Sequence, residues 1–160
     1  MEKRIFIGSD LSGFTLKEAV KEFLLSEDYE VEDIGTLTEE EPFPFYTVAK
    51  KGAEKIQNKE YERGILICGT GMGMSIVSNK HEGVHGAACE TVYTAEKARA
   101  INDANVLCMG GWVVAPVTGV AMAKTFLETK FTQNLEDWRA KRLHVAREDV
   151  RDIEKNSFHK

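Results

Sequence analysis

The stretch Gly64-Ile65-Leu66-Ile67-Cys68-Gly69-Thr70-Gly71-Met72-Gly73 decides the fold. Its first half is a continuous apolar run, the pattern of a strand buried on both faces. Its second half carries glycine at alternate positions, and the spacing from Met74 to Asn79 becomes helical. Strand, glycine turn and helix in that order make one βα unit, and the same rhythm extends both ways along the chain. Upstream, Arg4 to Ser9 reads as a strand, Asp10 to Gly13 as a turn, and Phe14, Leu16, Ala19, Val20, Phe23 and Leu24 recur at helical spacing. Tyr29 to Ile34 is a second strand, ended by Gly35; Glu39–Glu41 with Pro42 and Pro44 is a solvated loop; Tyr46 to Ile56 is a helix. Downstream, Val84 to Cys89 and Val106 to Met109 read as strands and Ala95 to Ile101 as a helix. Helices follow from about Val117 to Leu127 and about Leu135 to Glu154, the last one long, charged and amphipathic. This alternation predicts an α/β fold: a five-stranded parallel sheet with helices on both faces. Ligands of such sheets bind beyond the carboxyl ends of the strands. That singles out Asp10, Cys68–Gly73 and the segment around Cys89.

Composition narrows the function. A chain of 160 residues suits one domain. Lys and Arg number 21 against 26 Asp and Glu, so the net charge is −5, which lacks the footprint of a nucleic-acid or anionic-membrane binder. No apolar run approaches a membrane span. The start, MEKRIFIGSD, has no long apolar segment and does not read as a signal peptide. Three cysteines without a C-x-x-C pair, and His81, His85, His144 and His159 outside any ligand spacing, give neither a disulfide scaffold nor a metal site. A cytoplasmic, reducing location is expected.

Three alternate glycines let backbone N–H groups approach a ligand, and the following helix adds its positive end, so the loop is a nest for an anion. It is not a Walker loop, because no Gly-Lys-Ser/Thr follows. Nor is it the dinucleotide fingerprint, since Met74 stands where the third glycine belongs and the loop follows the third strand. Glycines alone also fit a plain tight turn. Cys68 shifts that balance: it abuts the nest, where a thiolate is stabilised electrostatically, and Thr70 adds a hydroxyl. A base beside an oxyanion cradle is what proton abstraction next to a carbonyl requires. Cys89 and Cys108 read as buried structural thiols. Asp10 is either a helix cap or a carboxylate reaching into the cleft. Asn102-Asp103-Ala104-Asn105 can be simply a helix stop.

Together these residues carry a resemblance. Gly8-Ser9-Asp10 with Gly13-Phe14 and Leu16-Lys17, Ile67-Cys68-Gly69-Thr70-Gly71-Met72-Gly73, Asn79-Lys80 and Asn102-Asp103-Ala104-Asn105-Val106-Leu107 appear in one order. The chain resembles the ribose-5-phosphate isomerase B / galactose-6-phosphate isomerase family from residue 4 to about 131. The resemblance implies a three-layer α/β/α Rossmann-like domain over 1–160. Its C-terminal helix, about 132–156, would pack on a partner subunit. It also implies a homodimer or tetramer with shared active sites, and aldose–ketose isomerisation of a sugar phosphate without metal or cofactor. By position, Cys68 matches the base that moves a proton between C1 and C2. Thr70 and the amides of Gly69, Gly71, Met72 and Gly73 match the groups that stabilise a cis-enediolate. Asp10 and Asn102 match residues holding sugar hydroxyls, Asn102 coming from the neighbouring subunit, and Arg139 matches a phosphate-binding arginine.

The departures carry information too. Leu11, among the substrate-facing positions, stands where the family has a phosphate-binding histidine, and Ile101 where a histidine opens the sugar ring. Phe43 replaces a tyrosine, and Trp112 and Leu135 occupy arginine positions. Ile101 cannot act as an acid or base, so an acyclic or short substrate such as a tetrulose 4-phosphate is expected over ribose 5-phosphate. The competing readings are a non-catalytic sugar-phosphate-binding or partner subunit of a hetero-oligomer, and a flavodoxin-like nucleotide or flavin carrier.

Overall fold

The computed structural model describes residues 3–159. Met1 and Glu2, which open the segment weighed above as a signal peptide, and Lys160 lie outside them. The elements run β1 (Arg4–Ser9), α1 (Phe14–Ser26), β2 (Glu30–Asp33), α2 (Phe45–Gln57), β3 (Gly64–Cys68), α3 (Met72–Ser78), β4 (Gly86–Ala88), α4 (Val92–Ala100), β5 (Val106–Gly110), α5 (Pro116–Glu128) and α6 (Asp137–Phe158). The sheet has five strands in the order β2-β1-β3-β5-β4, and every pairing is parallel.

Period-two alternation divides the core into two layers. Ile5, Ile7, Ile65, Ile67, Leu107 and Met109 pack with α1, α4 and α5. Phe6, Leu66, Cys68, Val106 and Cys108 pack with α2 and α3 on the other face. The chain leaves β1 toward β2 and leaves β3 toward β4, in opposite directions, so the strand order reverses between β1 and β3. Such a reversal opens a crevice at the carboxyl ends of the two strands. Register sets Ser9 beside Ile67 and Cys68 beside Gly110, so β1, β3 and β5 end together.

Outside the glycine loop, three elements differ most from the sequence reading. β4 keeps only Gly86–Ala88. Side chains take over the ladder at its amino end: Asn105 Oδ1 accepts the His85 amide at 2.8 Å, and Asn79 Oδ1 accepts that of Gly86 at 2.9 Å. α4 starts earlier, at Val92, because Thr91 and Thr94 close a reciprocal capping box. α6 begins at Asp137, not near 132 or at Leu135, because Thr132 and Asn134 adopt left-handed backbone that interrupts a helix. None of the residues of α6 is buried, and Trp138, Val145, Val150 and Ile153 are exposed. Among the described residues no helix is long and apolar enough to cross a membrane.

Candidate active site

Cys68 is the last residue of β3, with its side chain on the α2/α3 face. Its sulfur accepts the N–H of Gly71 at 3.1 Å. The donor turns back onto the sulfur because Gly71 is left-handed, with φ +79°. Glycine is required there twice over, since a Cβ would also stand 2.9 Å from the Met109 carbonyl carbon. An N–H aimed at sulfur complements negative charge on it. Thr70 Oγ1 accepts the Met72 amide at 3.3 Å. The helix starts at Met72, two residues before the sequence reading placed it, so Met72 and Gly73 lie in its first turn. First-turn amides have no intrahelical acceptor, and Thr70 Oγ1 takes that of Met72.

The turn after β1 packs against this loop. The Asp10 amide donates to Ile67 O at 3.3 Å, and Asp10 Oδ1 accepts the Gly13 amide at 3.0 Å. Burial raises the Asp10 pKa above the ordinary carboxylate value, against backbone donors that include Gly13 and Ser12. The N-cap of α1 is Gly13, without a side-chain cap, so Asp10 is not the helix cap that the sequence offered; its half-buried carboxylate instead closes the turn between β1 and α1.

Aromatic rings bound the loop at either end. The Trp112 indole lies on Gly69, where a Cβ would stand 2.8 Å from ring carbon Cε3, and the Trp112 amide donates to Gly69 O at 3.0 Å. The Phe45 ring covers Gly73 in the same way, 2.7 Å from a Cβ position, and packs edge-on against Tyr46. Leu11, in the turn after β1, and Phe43, in the loop before α2, are exposed. The Phe43 amide donates to Thr36 Oγ1, and the fully buried Lys17 ammonium donates to Thr36 O and to Asp33, which fixes that loop. Phe45 escaped the sequence reading; the only signal for it was the aromatic run Phe43-Pro44-Phe45-Tyr46 ahead of α2.

Within one chain Asn102 and Arg139 are not brought to Cys68. Asn102 is exposed in the turn before β5, at the amino end of the sheet. Four strand residues, about 13 Å, separate that end from the level of Cys68. Arg139 is exposed on the first turn of α6, and Leu135 lies in the turn before it. Cys89 and Cys108 are free and buried, and burial pushes both thiols up, away from reactivity. Among the described residues no group of three or more His, Cys, Asp or Glu is clustered as a metal site requires.

Residues 5–143 match the family described as Ribose/Galactose Isomerase. The chain belongs to that family. This isomerase is 56% identical over 157 residues, 98% of its own length and 99% of the relative's, to the 4-deoxy-4-sulfo-D-erythrose isomerase of Clostridium sp. (strain MSTE9). It is 37% identical over 133 residues, 82% of this chain and 88% of the relative, to D-erythrulose-4-phosphate isomerase 2 of Mycolicibacterium smegmatis. The solved structure of Clostridium thermocellum ribose-5-phosphate isomerase B superposes with a TM-score of 0.86 at 36% identity, covering 96% of this chain and 99% of that one. The protein is an aldose–ketose isomerase with a Rossmann-like parallel sheet.

Proposed function

We infer that this isomerase interconverts a four-carbon aldose and ketose that carry a terminal sulfonate on C4, through a cis-enediolate, with Cys68 as the base. One observation carries the reading: the proposed base and its amide loop are intact, with the rings of Trp112 and Phe45 laid on Gly69 and Gly73 at the two ends of that loop. The extent of identity to the 4-deoxy-4-sulfo-D-erythrose isomerase supports the same substrate.

The chemistry follows from the placement of the groups. The Cys68 thiolate takes a proton from C1 of the ketose, and the C–H electron pair forms the C1–C2 double bond as the carbonyl pair moves onto O2. Loop amides and the Thr70 hydroxyl oppose the charge that develops there. The proton on O1 passes to O2, the O1 charge collapses to an aldehyde, and the thiol returns its proton to C2. One group that reaches both carbons suffices, since they are adjacent. A sugar with sulfonate on C4 has no C4 hydroxyl and cannot close a furanose ring. Ile101 is then no handicap, because no ring needs opening.

Asp10 holds a sugar hydroxyl, and a second copy of the chain supplies Asn102 and Arg139. The separation of those two residues from Cys68 within one chain supports completion across a homo-oligomer, as does the exposed apolar surface of α6. The single domain thus lends its last helix to a partner. Mixing Cys68→Ala with Arg139→Ala subunits restores about a quarter of the wild-type rate if a two-fold dimer shares its sites, and none if each chain is self-sufficient. The free thiols fit a cytoplasmic location.

A second reading is a tetrulose 4-phosphate substrate, favoured by two relatives named D-erythrulose-4-phosphate isomerase at 37% and 35% identity. The deciding experiment compares kcat/KM for 4-deoxy-4-sulfo-D-erythrulose, D-erythrulose 4-phosphate and ribose 5-phosphate. The sulfonate leads if the inference holds; ribose 5-phosphate ahead of both tetruloses contradicts it.

A further inference from the structure

We propose that Trp112 is a charge-selecting residue, whose indole makes the site accept a singly charged terminal anion and reject a doubly charged one. The proposal rests on the reading above that the substrate is a four-carbon sugar with a terminal anion.

Geometry confines that anion. C1 and C2 must lie against Cys68 Sγ for the proton to move. With about 1.5 Å per bond, an anionic group on C4 lies within about 5 Å of the reacting carbons. It therefore touches the immediate rim of the loop. Trp112 holds the end of that loop next to Cys68, with its ring on Gly69 and its amide on the Gly69 carbonyl. Gly111 packs on the Ser12 carbonyl with no room for a Cβ, which draws the Leu11 turn to the same side as the indole. The indole lies on the loop residue next to Cys68 and is 74% exposed, so it is not a core residue. Asp10, whose amide donates to Ile67 O one residue before Cys68, is a carboxylate and adds no positive charge there.

Charge then decides what binds. The cost of moving an ion from water to an apolar wall rises with the square of its charge, so a dianion suffers far more than a monoanion. A sulfonate carries one negative charge at every working pH. A phosphate monoester carries nearly two at neutral pH, because its second pKa is about 6. The guanidinium of Arg139, which the proposed function delivers from a neighbouring copy, matches one charge and leaves a second facing the ring. The phosphate ester is accepted as its monoanion, and its turnover follows the fraction in that form.

The test measures kcat/KM for D-erythrulose 4-phosphate and 4-deoxy-4-sulfo-D-erythrulose from about pH 5.5 to about pH 7.5, with wild type, Trp112→Arg and Trp112→Gln. Taking the ratio of the two sugars cancels every titration of the enzyme itself. In the wild type the phosphate-to-sulfonate ratio rises about 25-fold on going down that range, as the monoanion fraction does. Trp112→Arg raises the ratio about tenfold at the upper pH and flattens its pH dependence, as a charge-assisted contact to the second charge requires. Trp112→Gln removes the apolar ring without adding a charge, so it lessens the wild-type slope, but by less than Trp112→Arg does. A flat ratio in the wild type overturns the proposal. So does an equal gain in both variants, which would make the ring a matter of bulk. Turnover of neither tetrulose by the wild type overturns the substrate reading itself, and the proposal with it.

Discussion

The two ends of the sheet are held by different physics. Around Cys68, at the carboxyl end, the contacts are backbone and shape: a sulfur accepting an amide, rings laid on glycines, a left-handed residue against a strand carbonyl; the buried Lys17–Asp33 pair lies apart, under the loop after β2. At the amino end they are charges. Asp103 accepts from Arg99 at 3.0 Å and from Arg147 of α6 at 3.1 Å. Glu154 of α6 accepts the Gly83 amide at 2.9 Å, and His159 faces Glu82 at 2.9 Å. Arg63 donates to Leu127 O at 2.7 Å, and its pKa is lowered to about 10 by burial and then by the charge of Arg99. A cavity of about 970 Å³ opens at this charged end, away from Cys68. One end is organised for a reaction and the other for docking a helix. Apart from Asn102 and Arg139, which the proposed function gives to a second copy, substitutions should divide along the same line, toward rate at one end and toward stability at the other.

The largest effect belongs to the sulfur proposed as the base. Cys68→Ala lowers kcat by about 10²–10⁴-fold, the range for a general base, while thermal denaturation moves by only a few degrees. Next comes its donor. Gly71→Ala forces a side chain into left-handed backbone and against Met109, costing about 2 kcal/mol of stability. It also pulls the amide off the sulfur, so kcat falls more steeply than urea stability does. Gly69→Ala is the contrasting case: its added methyl meets an exposed ring that can swing away, so stability stays within about 1 kcal/mol of wild type.

At the charged end, Asp103→Asn keeps a residue type that tolerates the φ of +52° but removes the carboxylate shared by Arg99 and Arg147. Arg99 is buried, so the loss is about 2 kcal/mol in urea denaturation, with little change in the alkylation rate of Cys68. A large kinetic effect with unchanged stability would erase the distinction between the ends.

The smallest effect concerns Asp10. Burial raises its folded pKa, so between its unfolded and folded pKa values the native state binds more protons than the unfolded state. Stability therefore falls as pH rises through that window. Asp10→Asn removes this cost while its carbonyl still accepts the Gly13 amide. The variant is slightly more stable than wild type at neutral pH, by under about 1 kcal/mol for a group with this much solvent contact. The gain vanishes in acid, and paired melting curves at neutral and acidic pH check the sign.

Much of the catalytic end was legible in the sequence, because two-sided burial demands an unbroken apolar strand and close approach demands glycine. β3 and the Cys68–Gly73 loop could be read for those reasons. The rings on the loop could not: Phe45 meets Gly73 across two helices, and Trp112 meets Gly69 across two strands, contacts without a sequence period. At the amino end, side chains of Asn79 and Asn105 replaced strand hydrogen bonds and shortened β4. The start of α6 moved for a similarly local reason, the left-handed Thr132 and Asn134. Asn102 and Arg139 were assigned through family resemblance, and one chain alone does not carry them to Cys68.

The most direct test of the central claim is solvent-deuterium incorporation, followed by NMR with 4-deoxy-4-sulfo-D-erythrulose in D2O. Proton abstraction by Cys68 predicts one deuterium at C1 of the recovered ketose with the wild-type enzyme and none with Cys68→Ala. Incorporation by Cys68→Ala at a rate near that of the wild type would contradict it.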